Sequence, residues 1–229
     1  MTWPHAIGAA AIGALLALPA AAAAATAEGQ ALALHGAGSV PACSTCHGAE
    51  GQGNATIGAP ALAGDGVAYL REQLANFAAG RRHHPIMQPI AATLSPAQQD
   101  AVAGYFAGLP AAAPAPVPPG APPGTAHQTP ADLRGARLAE RGDWARMLPA
   151  CMQCHGPGGI GVPPGFPHLA GLTASYIVAQ LHAFRSGARP PGPLGLMAAV
   201  ARKLSAADSV AVAAYFAASG GAAATKAGR

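Results

Sequence analysis

Apolar positions recur at helical spacing, most plainly around Tyr69. Tyr69 and Gln73 stand one turn apart, Leu74 and Phe77 continue the same face, and Gly80 supplies a stop. The pattern returns at identical spacing as Tyr176, Gln180, Leu181, Phe184 and Gly187. Asp65 and Thr173 are the candidate N-caps of these two helices. Ser95-Pro96-Ala97-Gln98 and Ser205-Ala206-Ala207-Asp208 read as capping boxes that open a last helix in each half. Those helices run to Tyr105-Phe106 and Tyr215-Phe216, aromatic pairs expected to pack helices together. Short segments at 28–35 and 131–141 predict a helix at the start of each half. The chain is thus expected to be all-α and built as an internal repeat.

The flanking stretches divide the repeat. Ala6 to Leu18 is apolar and leads through Pro19 into an alanine run ending Ala25-Thr26-Ala27. It reads as a secretory signal peptide over 1–27, cleaved before Glu28, although no Lys or Arg precedes its apolar part. An uncleaved membrane anchor is the alternative, and alanine gains little from lipid. Eight prolines between 110 and 130 predict an extended spacer, so the expected domains are 28–109 and 131–218, with a frayed tail at 219–229.

Composition changes this picture in one respect. Aromatic content is 5%, with 30 Gly and 23 Pro, which is thin material for the side-chain cores of two small domains. A bound cofactor in each half would supply the missing apolar surface. Charge is uneven: residues 28–109 carry a balance of −2 and residues 110–229 a balance of +6. No basic run or aromatic-interleaved basic patch points to nucleic acid.

The chemistry lies in two copies of C-x-x-C-H: Cys43-Ser44-Thr45-Cys46-His47 and Cys151-Met152-Gln153-Cys154-His155. In such a run two thiols form thioethers with the vinyl groups of a haem, and the following imidazole ligates its iron. Cys and His pairs also build zinc sites, but these clusters are 103 residues apart and each is followed by its own set of matching landmarks. No Cys lies outside them. A sixth iron ligand decides between electron carrier and enzyme. Of five Met, Met1 leaves with the leader, while Met147 and Met152 lie beside or inside the second motif. Met87 and Met197 remain, 40 and 42 residues after their His, each in a Pro-containing loop before the last helix. His83 and His84 are the competitors in the first half and are read as facing solvent.

With these residues in place the chain resembles the cytochrome c4 family, tandem class I cytochrome c domains each wrapped around one covalently bound haem c. The resemblance covers residues 28–218. It implies Cys43, Cys46, Cys151 and Cys154 as thioether positions and His47 with Met87 and His155 with Met197 as axial ligands. Pro60 and Pro167, in the runs Pro60-Ala61-Leu62-Ala63-Gly64 and Pro167-His168-Leu169-Ala170-Gly171, would accept a hydrogen bond from the ligand imidazoles. The long Pro-rich linker, and Ala198-Ala199 where the first half has Gln88-Pro89, depart from that family. They argue against carrying over its tight face-to-face domain packing, though not the ligation.

The implied function is outer-sphere electron transfer in the periplasm, with no catalytic residue. Expected partners are redox proteins such as a membrane respiratory complex, a terminal oxidase or a periplasmic dehydrogenase. Contact with the membrane would come through a partner or an uncleaved N-terminus. The alternatives are a cytochrome subunit of a dehydrogenase acting on an alcohol, sugar or sulfur compound, and a dihaem peroxidase, against which the two matched Met argue. The charge contrast leads us to expect that the second half, with Arg185, Arg189 and Arg202, meets an acidic partner.

Overall fold

Each half of the chain folds its helices in the same order. The computed structural model describes residues 17–111 and 129–219. The first half contains α1 (Ala17–His35), α2 (Ser44–His47), α3 (Val67–Ala78), α4 (Met87–Thr93) and α5 (Pro96–Gly108). The second repeats them as α6 (Pro130–Glu140), α7 (Cys151–His155), α8 (Ala174–Ser186), α9 (Leu196–Lys203) and α10 (Ala206–Ala218). Among the described residues strand structure is limited to isolated bridges, so the fold is all-α as expected.

The first and last helices of each half cross at a glycine. A Cβ on Gly29 would stand 2.1 Å from the Ala101 carbonyl oxygen, and one on Gly135 would stand 2.3 Å from that of Ala211. Only glycine lets the two backbones approach so closely. Below the crossings lie two separate cores, one with Leu32, Leu70, Val102 and Phe106, the other with Leu138, Leu181, Val212 and Phe216. Phe106 and Phe216 are fully buried, and burial of a ring of that size stabilises by about 1.5–3 kcal/mol.

The caps follow the sequence with two corrections. Ser95 with Gln98 and Ser205 with Asp208 form the expected capping boxes, and Thr173 accepts from the Tyr176 N–H. Asp65 does not cap α3, whose N-cap is Gly66. Its carboxylate is taken by the other half: Asp65 Oδ1 accepts from both the backbone N–H and the Nδ1–H of His168, at 2.9 and 2.8 Å. The linker also ends sooner than expected, because Pro130 occupies the first turn of α6 under a Thr129/Asp132 capping box. Residues 112–128 of the spacer, the tail from 220 and the first 16 residues of the leader lie outside the described residues. The helix α1 continues through the expected cleavage point after Ala27. Among the described residues no helix is long and apolar enough to cross a membrane.

The two halves are packed together, contrary to the expectation drawn from the linker. The bonds between the halves are reciprocal. Arg82 donates to Gln73 of its own half at 2.9 Å, and to Tyr176 and Gln180 of the other at 3.0 and 2.8 Å. Arg189 mirrors it, donating to Gln180 of its own half and to Tyr69 and Gln73 of the other, all at 2.9 Å. Each guanidinium also lies 4.4 Å over the Phe of its own half, Phe77 or Phe184. Both arginines are buried. Arg189 is therefore a structural residue and not the exposed docking charge that the sequence led us to expect. The Asp65–His168 pair and a bond from the His83 N–H to the Ala188 carbonyl add to the contact.

Arg189→Gln should open this interface while leaving both cores folded. It strips donors from the Tyr69 hydroxyl and the Gln73 and Gln180 amides, a loss of about 2 kcal/mol of domain contact. Small-angle X-ray scattering should show a longer particle, with helix content unchanged by circular dichroism. An unchanged scattering profile would mean that the network does not hold the domains.

Candidate haem centres

Each C-x-x-C-H run forms one short helix that gathers its three reactive side chains. In α2 the N–H groups of Cys46 and His47 both donate to the Cys43 carbonyl, at 3.2 and 2.9 Å. None of the four cysteines is in a disulfide, and each is half-buried. Burial pushes the Cys43 thiol up and raises that of Cys151 to about 11.

The imidazoles are buried and oriented. His47 Nδ1–H donates to the Pro60 carbonyl at 2.8 Å, and His155 Nδ1–H to the Pro167 carbonyl at 2.7 Å. A carbonyl only accepts, so Nδ1 carries the proton in both rings and Nε2 keeps its lone pair. Burial lowers both pKa values below the ordinary histidine range, and the Pro carbonyls offset part of that. Each ring is thus a neutral imidazole with one nitrogen fixed by a backbone carbonyl, the usual arrangement around a metal-ligating histidine. Phe166 stands edge-on to His155 at 6.1 Å between ring centroids.

Glycines shape the turn that follows each motif. Gly51 and Gly159 have φ of +67° and +79°, and a Cβ there would stand 2.9 and 2.6 Å from the rings of Phe106 and Phe216. The same glycines accept through their carbonyls from Leu62 and Ala63, and from Leu169 and Ala170. Those bonds set the Pro60 and Pro167 segments against the histidines.

Met87 is the first residue of α4 and Met197 the second of α9, and both are half-buried. Met197 packs against the core of the second half. Met147, by contrast, is 72% exposed in a turn, which agrees with setting it aside. His83 and His84 are exposed, as expected. His84 Nδ1 accepts the N–H groups of Ile86 and Met87, at 3.3 and 3.2 Å, so its lone pair is already used to start α4.

The arginine pair was missed in the sequence although the signal is there. Arg82 and Arg189 continue the Tyr-Gln-Leu-Phe-Gly repeat at the same offset, two residues beyond Gly80 and Gly187. Their hydrogen-bond partners are neutral Tyr and Gln side chains. Arg189 also lies near enough to His155 to help lower its pKa. Two buried cations without a bonded carboxylate among the described residues suit a group that brings carboxylates of its own, as a haem does.

Comparison with known proteins settles what these centres belong to. The family described as Cytochrome c matches residues 26–110 and again 133–219. The chain belongs to the cytochrome c family. It is 46% identical over 176 residues to a thiosulfate dehydrogenase electron acceptor of Stutzerimonas stutzeri (strain A1501), covering 77% of this chain and 78% of that protein. It is 35% identical to a cytochrome c4 of Pseudomonas aeruginosa, covering 76% and 81%. The solved structure of reduced recombinant cytochrome c4 from Pseudomonas stutzeri superposes with a TM-score of 0.68 at 30% identity, covering 84% of this chain and 97% of that one. A thiosulfate dehydrogenase of Marichromatium purpuratum, in its as-isolated form, gives a TM-score of 0.72 at 44% identity. The match covers 84% of this chain and spans 40% of that longer chain. Two tandem cytochrome c domains with two C-x-x-C-H motifs carry two covalently bound haem c groups. This member of the family is a dihaem electron carrier that serves redox partners.

Proposed function

We propose that this protein takes single electrons from a thiosulfate-oxidising dehydrogenase outside the cytoplasm and passes them to a respiratory acceptor such as a terminal oxidase. The observation that carries the donor is the 46% identity to a protein named for accepting electrons from thiosulfate dehydrogenase, above the 35% to a cytochrome c4. Export is supported by the apolar leader and by the thioether chemistry of the motifs. The domain limits we assign are 28–109 and 129–218, on either side of the Pro-rich spacer, the second starting at the Thr129 cap of α6.

In this reading Cys43 and Cys46 would hold one haem and Cys151 and Cys154 the other, with His47 and Met87, and His155 and Met197, supplying the iron ligands. Each haem supplies a one-electron iron couple. The chain contributes fixed ligands: Pro60 and Pro167 hold the imidazole rings in one orientation, which limits reorganisation on electron transfer. The thioethers of Met87 and Met197 would raise the potential relative to a second histidine. The tautomer of His84, with its lone pair on backbone N–H groups, supports Met87 over that histidine as ligand.

Mixing the purified haem-loaded protein with a thiosulfate dehydrogenase and thiosulfate should bring both haems to the ferrous state within seconds to minutes, followed by visible absorbance. Reduction by an alcohol or sugar dehydrogenase with its substrate, and none with thiosulfate, would assign the protein to a different donor.

A further inference from the structure

The turn between α6 and α7 is longer than its counterpart in the first half. In the first half Ala37 and Val40 form an isolated bridge around two residues, Gly38 and Ser39. In the second half Asp143 and Leu148 form the same bridge around four, Trp144 to Met147. The longer turn puts Trp144 and Met147 into solvent, at 64% and 72% exposure. Met147 also adopts φ +52°, a left-handed conformation that side chains other than glycine and asparagine seldom take.

This turn is nevertheless held rigidly. Arg146 bonds to Asp143 and Asp208, both at 2.9 Å, and to the Lys203 carbonyl at 3.1 Å. Lys203 Nζ donates to the Met147 carbonyl at 2.7 Å, and the Met147 N–H closes on the Trp144 carbonyl at 2.9 Å. A fixed turn that shows a tryptophan and a methionine to water loses little entropy on docking. Trp, Met and Arg are also the residue types that interfaces favour at their centres.

The surroundings are cationic. Arg137 and Arg141 are exposed at the end of α6, and Arg202 is exposed beside Lys203 at the end of α9. Of the carboxylates near the turn, Asp143 is paired with Arg146 and Asp208 with Arg134 and Arg146, while Glu140 is exposed and accepts from the Tyr215 hydroxyl, so positive charge prevails there without being unopposed. A second copy of this chain would bring the same positive charge, which opposes self-association through this face. Trp144 lies seven residues before Cys151, the first thioether position of the second haem.

We propose that the Trp144–Met147 turn is the docking point for the electron-donating dehydrogenase, received by an apolar recess with an acidic rim on that enzyme. This rests on the reading of a thiosulfate dehydrogenase as donor. It places electron entry at the second domain and leaves the first, more acidic domain for the acceptor.

The test compares haem-loaded Trp144→Ser, Met147→Gly and the double variant with the wild-type protein by stopped flow. Met147→Gly suits the left-handed backbone, so the fold is retained. Leu194→Ser is the control, because Leu194 is 97% exposed on a different loop. The double variant should be reduced by the dehydrogenase about tenfold more slowly or worse at low salt, with its reaction with ferricyanide unchanged. Arg141→Glu should slow the same step at low ionic strength and lose its effect as salt is raised. A double variant reduced at the wild-type rate, or one slowed no more than Leu194→Ser, overturns the docking surface and leaves the donor in place. A wild-type protein that the dehydrogenase fails to reduce overturns the donor assignment and the docking surface with it.

Discussion

Met197→Ala should open one of the two irons and leave the other as it was. The variant should lose about half of the weak near-infrared band that sulfur-to-iron bonding produces, and one haem should bind carbon monoxide or cyanide. The potential of that haem should fall by a sizeable part of the roughly 0.8 V that axial ligands span. Met87→Ala should do the same for the first haem. The two variants are not equivalent in their chances of rescue, because His84 stands four residues beyond Gly80 and close before Met87, whereas Pro191 occupies that place beyond Gly187. In Met87→Ala the start of α4 is loosened, and His84 can leave the N–H groups of Ile86 and Met87 to become the new ligand. That variant should therefore show a low-spin bis-histidine spectrum in part of the sample, strongest above the pKa of His84, which burial and then Arg82 hold below the ordinary histidine value. An unaltered near-infrared band in Met197→Ala would remove Met197 from the coordination sphere.

Asp208→Asn should be the most destabilising single change away from the haems. Asp208 is completely buried, yet it is bonded by Arg134, Arg146, the Ser205 N–H and the Ser205 hydroxyl. Burial by itself would raise its pKa, but the hydrogen bonds from Arg134, Ser205 and Arg146 outweigh it and hold the carboxyl well below the usual carboxylate range. The folded pKa is thus depressed, so the stabilisation is present above the unfolded value of 3.8 and is lost as pH falls through it toward the folded one. Removing the charge leaves two guanidinium groups without their shared anion. Because Arg134 and Arg146 are partly exposed, the loss belongs at the lower end of the range for broken buried pairs, about 3 kcal/mol. For a domain of this size that lowers the melting temperature on the order of 15 °C at neutral pH. The difference between variant and wild type should shrink below pH 3 or so. Gln98→Ala, at the matching place in the first half, removes only a capping-box partner and should lower stability by about 1 kcal/mol or less. Equal melting curves for Asp208→Asn and wild type would mean that the cluster contributes nothing net.

Local patterns in the chain were enough for whatever depends on near neighbours. The C-x-x-C-H spacing determines that two thiols and an imidazole share one helical turn, since Cys43 and His47 are joined through the backbone bonds of that turn itself. Helix starts at Ser95, Thr173 and Ser205 were legible because a cap acts over three residues. Contacts between residues far apart were decided only by the tertiary structure. Asp65 has the sequence position of an N-cap, but His168, 103 residues away, offers two N–H donors to the same oxygen and takes it. Arg189 reads as one more surface cation in a basic half, yet the contact between the halves buries it against Tyr69 and Gln73. A proline-rich linker says how far two domains can separate. The polar network between Arg82, Arg189 and their Tyr and Gln partners decides that they stay together, because each guanidinium finds its acceptors only when both halves are present.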